Sequence, residues 1–188
     1  MDLREYLDMM ADAVRRIDMR PVHELVDVIE ATYREGRTVF LVGNGGSGAN
    51  ASHFCEDLGK GTLSDFENQR RLRVISLTDN TPYILAWGND EGFDRVFVEQ
   101  LKNLAVAGDV LIGISCSGNS PNVVKAMEWA KAHQIYTFAF TDSKGGKLGA
   151  IADQMMLAPS TDVGDAEALH GIVIHYVVHE LYERFKQI

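Results

Sequence analysis

Two loops rich in glycine and serine carry the densest chemistry in the sequence. Gly43-Asn44-Gly45-Gly46-Ser47-Gly48 places four glycines in six residues, more than a simple turn needs. It also fits the G-x-G-x-x-G spacing by which a strand passes into a helix beneath a phosphate. Ser115-Cys116-Ser117-Gly118-Asn119-Ser120-Pro121 offers three hydroxyls, a glycine that lets backbone come close, and a Ser-Pro pair suited to the start of a helix. Neutral hydroxyl and backbone N–H donors at a helix start make an anion cradle without any basic residue. No lysine follows the glycines, so neither loop is a Walker loop.

A dinucleotide reading of the first loop takes Asp79 as the ribose partner. Asp79, however, lies 79 − 48 = 31 positions past Gly48, further than the usual ~20, and the second loop is left without a role. Two polar loops at neighbouring strand ends predict a small phosphorylated ligand instead.

Acid–base and metal-ligating candidates fall on two helices. His53 and Asp57 are four apart and share a face, whereas Glu56 is rotated about 100° away. Glu167 and His175 are eight apart, within about 80° of one face and two turns along. Taken alone, the first pair reads as a surface ion pair and a histidine on an apolar helix as structural, which is the reading for His170 and His179. Together, His53, Asp57, Glu167 and His175 form a plausible nitrogen and oxygen set for zinc or another divalent ion if the two helices meet. They are also the groups that proton abstraction next to a carbonyl requires.

The elements that must position these residues follow from periodicity. Leu3, Leu7, Met10, Val14 and Ile17 recur at helical spacing, and so do Val22, Leu25, Val26 and Ile29 after Pro21, with Gly36 as the stop. Short β-branched and apolar runs then alternate with helical stretches: Thr38 to Val42, Arg73 to Leu77, Val110 to Ile114, Tyr136 to Thr141 and Gln154 to Ala158. Such alternation predicts an α/β fold, a five-stranded parallel sheet covered on both faces. A long amphipathic helix, Asp165 to Lys186, closes the chain. No repeat or linker interrupts it, so residues 1–188 are expected to be one domain, with helices over 1–36 packed on an α/β core over 37–188.

Composition sets outer limits. The chain has 188 residues, with 18 basic against 27 acidic and a net charge of −9, and no basic run of the kind a nucleic-acid backbone or an anionic membrane attracts. Its two cysteines, Cys55 and Cys116, are 61 positions apart and fit neither a disulfide scaffold nor a thiolate zinc site. The amino terminus lacks a signal-peptide pattern. These features predict a soluble, reduced, cytoplasmic protein.

The first loop followed by His53-Phe54, the segment Gly88-Asn89-Asp90-Glu91-Gly92-Phe93, the stretch Gly108 to Ser120, and Glu167-x-x-His170-x-x-x-x-His175 resemble the sugar isomerase (SIS) domain family, and within it the phosphoheptose isomerase branch. The resemblance implies a flavodoxin-like three-layer sandwich with an N-terminal helical extension, a homotetramer with sites shared between subunits, and aldose–ketose isomerisation of sedoheptulose 7-phosphate through an enediol. It implies that Ser115, Ser117 and Ser120 hold phosphate while Asn44, Gly45, Gly46 and Asp79 line the sugar. Ser47, Thr78, Cys116, Asp57 and Glu167 complete the expected substrate contacts. Asp57 and His175 become the catalytic pair, and His53, Asp57, Glu167 and His175 the ligands of zinc or another divalent ion. Two positions depart from the pattern: Asp57 stands for a glutamate and Glu167 for a glutamine. A carboxylate at 167 close to Asp57 would raise its pKa. A non-catalytic SIS protein of the DnaA-initiator-associating type, or an isomerase of another sugar phosphate, remains an alternative.

Overall fold

The computed structural model describes residues 1–188. Two helices lead, α1 (Leu3–Arg15) and α2 (Arg20–Glu35). Asp2 and Glu5 form a capping box at the start of α1, and Gly36, at φ 72°, turns the chain out of α2. The five strands are β1 (Thr38–Gly43), β2 (Arg73–Ser76), β3 (Val110–Ile114), β4 (Tyr136–Thr141) and β5 (Gln154–Leu157), each ending within one residue of its expected span. Between them run α3 (Gly45–Glu56), α4 (Thr81–Asp90), α5 (Val98–Leu104), α6 (Pro121–Ala132) and α7 (Leu148–Ile151), and α8 (Val163–Phe185) follows β5.

All strand pairings are parallel, in the order β2-β1-β3-β4-β5. This is the flavodoxin-like order, in which the winding direction reverses between β1 and β3 and opens a crevice at the carboxyl ends of those strands. Gly43 on β1 pairs in register with Ile114 on β3. Strand order alone therefore sets the glycine loop and the serine loop side by side.

The period-2 pattern divides the sheet between two cores. Val39, Leu41, Ile112 and Phe140 face α2, α3 and α8 in the larger cluster, while Phe40, Val42, Leu111 and Ala139 face α5, α6 and α7 in the smaller. α1 uses only part of its apolar stripe. Ala13 is buried and Met10, Val14 and Ile17 pack against the larger cluster, whereas Leu3 and Leu7 are exposed in the single chain. No helix is long and apolar enough to cross a membrane.

The helix that carries His53 does not continue regularly through Asp57. α3 ends at Glu56, and residues Asp57–Gly61 form a π-helical turn. Leu58 is fully buried, and a Cβ at Gly59 or Gly61 would lie 3.3 Å from Val74 or 3.2 Å from Val178. The two glycines let this wider turn fit between β2 and α8, and Asp57 is its first residue.

His170 is the structural histidine expected. It is fully buried, its Nε2–H donates to the Thr141 carbonyl at 3.0 Å, and Nδ1 has no partner. Burial pushes its pKa below the ordinary 6.5. The unfolded chain then binds a proton that the folded chain refuses, so stability is full above about pH 6.5 and falls as the pH drops below that value. Urea midpoints measured from pH 7.5 to 5.5 are expected to decline less steeply in His170→Gln than in the wild type. Equal slopes would remove His170 from the acid response.

Candidate active site

The serine loop leaves β3 and turns into α6. Ser115 Oγ and Ser120 Oγ lie 3.0 Å apart, while Ser117 is exposed. Ser120 occupies the N-cap position of α6, but its side chain makes no capping bond. With its hydroxyl turned to Ser115, Ser120 leaves the Asn122 N–H at the start of α6 open to an anion; Pro121 has no N–H, and the Val123 N–H donates to Asn122 Oδ1 at 3.0 Å. Asn44, at the N-cap of α3, likewise makes no side-chain cap. Its amide instead exchanges two 2.8 Å hydrogen bonds with that of Asn122. Asn122 is buried and locks the two loops together, a role that its place in an ordinary-looking helix start did not signal.

A cavity of about 200 Å³ is lined by Asn44, Ser47, Ser115, Cys116, Ser117, Ser120 and Glu167. A second, of about 300 Å³, shares Asn44 and is lined by Gly45, Ser52, Thr78 and Phe93. Ser52 Oγ lies 2.9 Å from Thr78 Oγ1 and donates to Asp79, so of the expected sugar contacts Thr78 borders this cavity, and Asp79, which does not line it, is joined to it through Ser52. Phe93, from the Gly88 to Phe93 segment, closes its far side. A larger open cavity of about 640 Å³ sits by Tyr33, Arg70 and Phe185 near the amino end of β1, away from all of these groups. Burial pushes the Cys116 thiol up, and the nearby Glu167 charge adds to this, which suits a packed neutral residue rather than a nucleophile.

The helices α3 and α8 run alongside each other, and their side chains converge. Asp57 Oδ2 lies 3.4 Å from His53 Nε2 and 3.7 Å from His175 Nε2. The two imidazoles meet edge to face with centroids 5.0 Å apart. One donor atom from each of the three lies within 4.8 Å of the others, a mixed nitrogen and oxygen set that fits a divalent ion with positions left open. Glu56 points elsewhere, 3.7 Å from Lys60, and His179 is exposed.

Glu167 does not join the three. Eight residues of helix separate it from His175, about 12 Å of rise. Its carboxylate instead rests against Gly46, where a Cβ would lie 2.1 Å from Oε2, with Oε1 3.5 Å from Ser47 Oγ. The structure thus gathers three of the four expected ligands and leaves the fourth at the anion cradle, so a close Asp57–Glu167 pair is not formed.

The strand order thus sets two polar, cation-free loops at its switch point, with a cluster of His53, Asp57 and His175 two helical turns away. The chain belongs to the SIS domain family, whose pattern matches residues 5–142. It is similar to the probable phosphoheptose isomerase of Thermoplasma acidophilum, 36% identical over 98% of this chain and all of that protein. It is also similar to the phosphoheptose isomerase of Trichlorobacter lovleyi, 41% identical over 82% of this chain and 78% of that one. The solved phosphoheptose isomerase of Neisseria gonorrhoeae superposes with a TM-score of 0.87, at 29% identity over 95% of this chain and 96% of that chain.

Proposed function

We propose that this chain is a phosphoheptose isomerase, interconverting sedoheptulose 7-phosphate and glycero-manno-heptose 7-phosphate, and that residues 1–188 act as one domain. The observation that carries this reading is the convergence of His53, Asp57 and His175 along the α3–α8 groove from the serine cradle. Six residues from Ser47 to His53 and eight from Glu167 to His175 correspond to about 9 and 12 Å of helix, room for an extended phosphosugar between its anchor and its carbonyl. The relatives carry the same activity in their names.

In this reading Ser115, Ser117, Ser120 and the Asn122 N–H at the start of α6 hold the phosphate, and binding energy spent there orients the carbonyl end. Asn44, Gly45, Thr78 and Asp79 face the sugar hydroxyls. Asp57 takes a proton from C1 as His175 supplies one to the carbonyl oxygen at C2, giving the enediol. The C1 hydroxyl then gives up its proton as a carbon-bound proton is returned to C2, which leaves an aldehyde at C1. His53, Asp57 and His175 would hold a zinc or other divalent ion, which when bound supplies charge stabilisation for the enediolate oxygen.

The trio is solvent-facing in the single chain, with His53 and His175 side chains 52% and 60% exposed, and Leu3, Leu7, Leu85 and Phe93 are exposed too. A homotetramer that covers these faces and completes the site fits this pattern. Two measurements on one preparation test the reading: light scattering, expected at four times the 20.8 kDa chain mass, and NMR of the protein with sedoheptulose 7-phosphate before and after chelation. Conversion that weakens on chelation is expected. No conversion at high protein concentration would overturn the assignment.

A further inference from the structure

α8 runs 23 residues, and past its first turn it contains a single glycine, Gly171. Glycine is among the weakest helix formers, so a glycine inside a helix calls for a reason. Backbone geometry supplies none, because Gly171 is helical and its φ is not positive. Packing within the chain supplies none either, because a Cβ built there would meet no atom within 4 Å. What the glycine preserves is space.

That space lies within a row of residues that the site already uses. Glu167, Gly171 and His175 follow one another at steps of about 40° around α8 and about 6 Å along it. Both ends of the row touch α3 or the turn that extends it. The Glu167 carboxylate rests against Gly46 and lies 3.5 Å from Ser47 Oγ, and His175 Nε2 lies 3.7 Å from Asp57 Oδ2. Between these contacts the two helices leave a gap over Gly171. From α3, Asn50 reaches this level: its Nδ2 donates at 3.0 Å to the Glu167 carbonyl, the one that opens the helical turn ending at Gly171.

We propose that Gly171 is a specificity-determining residue: it keeps the α3–α8 groove open where the hydroxylated carbon chain of a phosphosugar crosses from the anion cradle to His53, Asp57 and His175. The side chains around the gap, Asn50, Glu167 and His175, are polar, which suits a polyol chain rather than an apolar side chain of a second copy. A larger residue at 171 stands in the path of a ligand that spans both ends and leaves a ligand confined to the cradle untouched. The proposal rests on the phosphosugar reading of the site.

Calorimetric titration of sedoheptulose 7-phosphate and of inorganic phosphate into the wild type, Gly171→Ala and Gly171→Leu tests it, beside a thermal melt and light scattering of each protein. Ala is expected to raise the melting temperature by about 2–4 °C through its helix propensity, while weakening the sugar phosphate severalfold. Leu is expected to weaken the sugar phosphate at least about tenfold, the scale of an overfilled site, with inorganic phosphate bound as in the wild type. A purely structural glycine would not join a gain in stability to a loss of sugar phosphate affinity. Sugar phosphate affinity unchanged in the variants, or inorganic phosphate weakened as much as the sugar phosphate, would overturn the proposal. So would a smaller mass for Gly171→Leu in light scattering, which would give the gap to a second copy. If Gly171→Leu does not fold, Gly171→Ala decides by the same criteria. A wild type that binds no sugar phosphate removes the phosphosugar reading and this proposal with it, whereas binding that survives in Gly171→Leu removes this proposal alone.

Discussion

Asp57→Asn is expected to lower kcat for isomerisation by roughly 10²- to 10⁴-fold, the range that a positioned general base contributes, while the protein stays folded. The amide keeps the shape of the side chain and loses its basicity. Stability should hold because the only ion-pair partners of Asp57 are His53 and His175 at 3.4 and 3.7 Å, both well exposed, and such pairs contribute little. His175→Ala should lose a comparable factor, and the double variant little more than either single one, because groups that act as a unit do not add. Steady-state kinetics beside a thermal melt separate these effects. Normal turnover in Asp57→Asn would remove it as the base. A loss accompanied by a much lower melting temperature would point to a structural role for the π-helical turn instead.

That turn marks where reading the sequence fell short. Periodicity placed all five strands, because parallel strands buried on both faces are short continuous apolar runs bounded by polar loops. The site's location followed as well, since the strand order puts the β1 and β3 loops together whatever their composition. Backbone that departs from a regular period was not legible. A π-helical turn at Asp57–Gly61 leaves no hydrophobic signature. The exchange of amides between Asn44 and Asn122 joins residues 78 apart, so neither signals the other. Glu167 was misplaced for a related reason. Helical phase fixes angle about the axis but not reach along it, and Glu167 and His175 share a face while lying two turns apart. The Leu3 and Leu7 stripe illustrates a different limit: its period predicts a helix with an apolar face, but period does not say which part of that face is covered, and Leu3 and Leu7 are exposed in the single chain.

The second large effect is expected from a residue with no functional group. Gly118 sits between Ser117 and Ser120 in the cradle at φ 62°, a region that costs an ordinary residue about 1–2 kcal/mol. Its surroundings add more, because a Cβ there would lie 2.1 Å from the Gly145 carbonyl oxygen and 3.0 Å from Gly146 Cα. These are backbone atoms and cannot rotate aside. The loop is also pinned on both sides, by Gly118 N–H to the Ser115 carbonyl at 2.8 Å and by Leu148 N–H to the Gly118 carbonyl at 3.0 Å. Gly118→Ala must therefore push the serine loop off the 145–146 segment and carry Ser117 with it. A displacement of about 1 Å at an anchoring group can cost on the order of a hundredfold, so kcat/KM for the sugar phosphate should fall by about that factor. The serine loop touches α3 and α8 only at their amino ends, through Cys116 to Ser47 and to the Val163 carbonyl, while His53, Asp57 and His175 stand further along these helices and the π-helical turn, so the loss should lie mainly in KM. Urea denaturation should show a lower midpoint with a cooperative transition. A wild-type KM in this variant would mean that the serine loop does not anchor the substrate, and the phosphate would then have to be sought in the neighbouring cavity by Thr78.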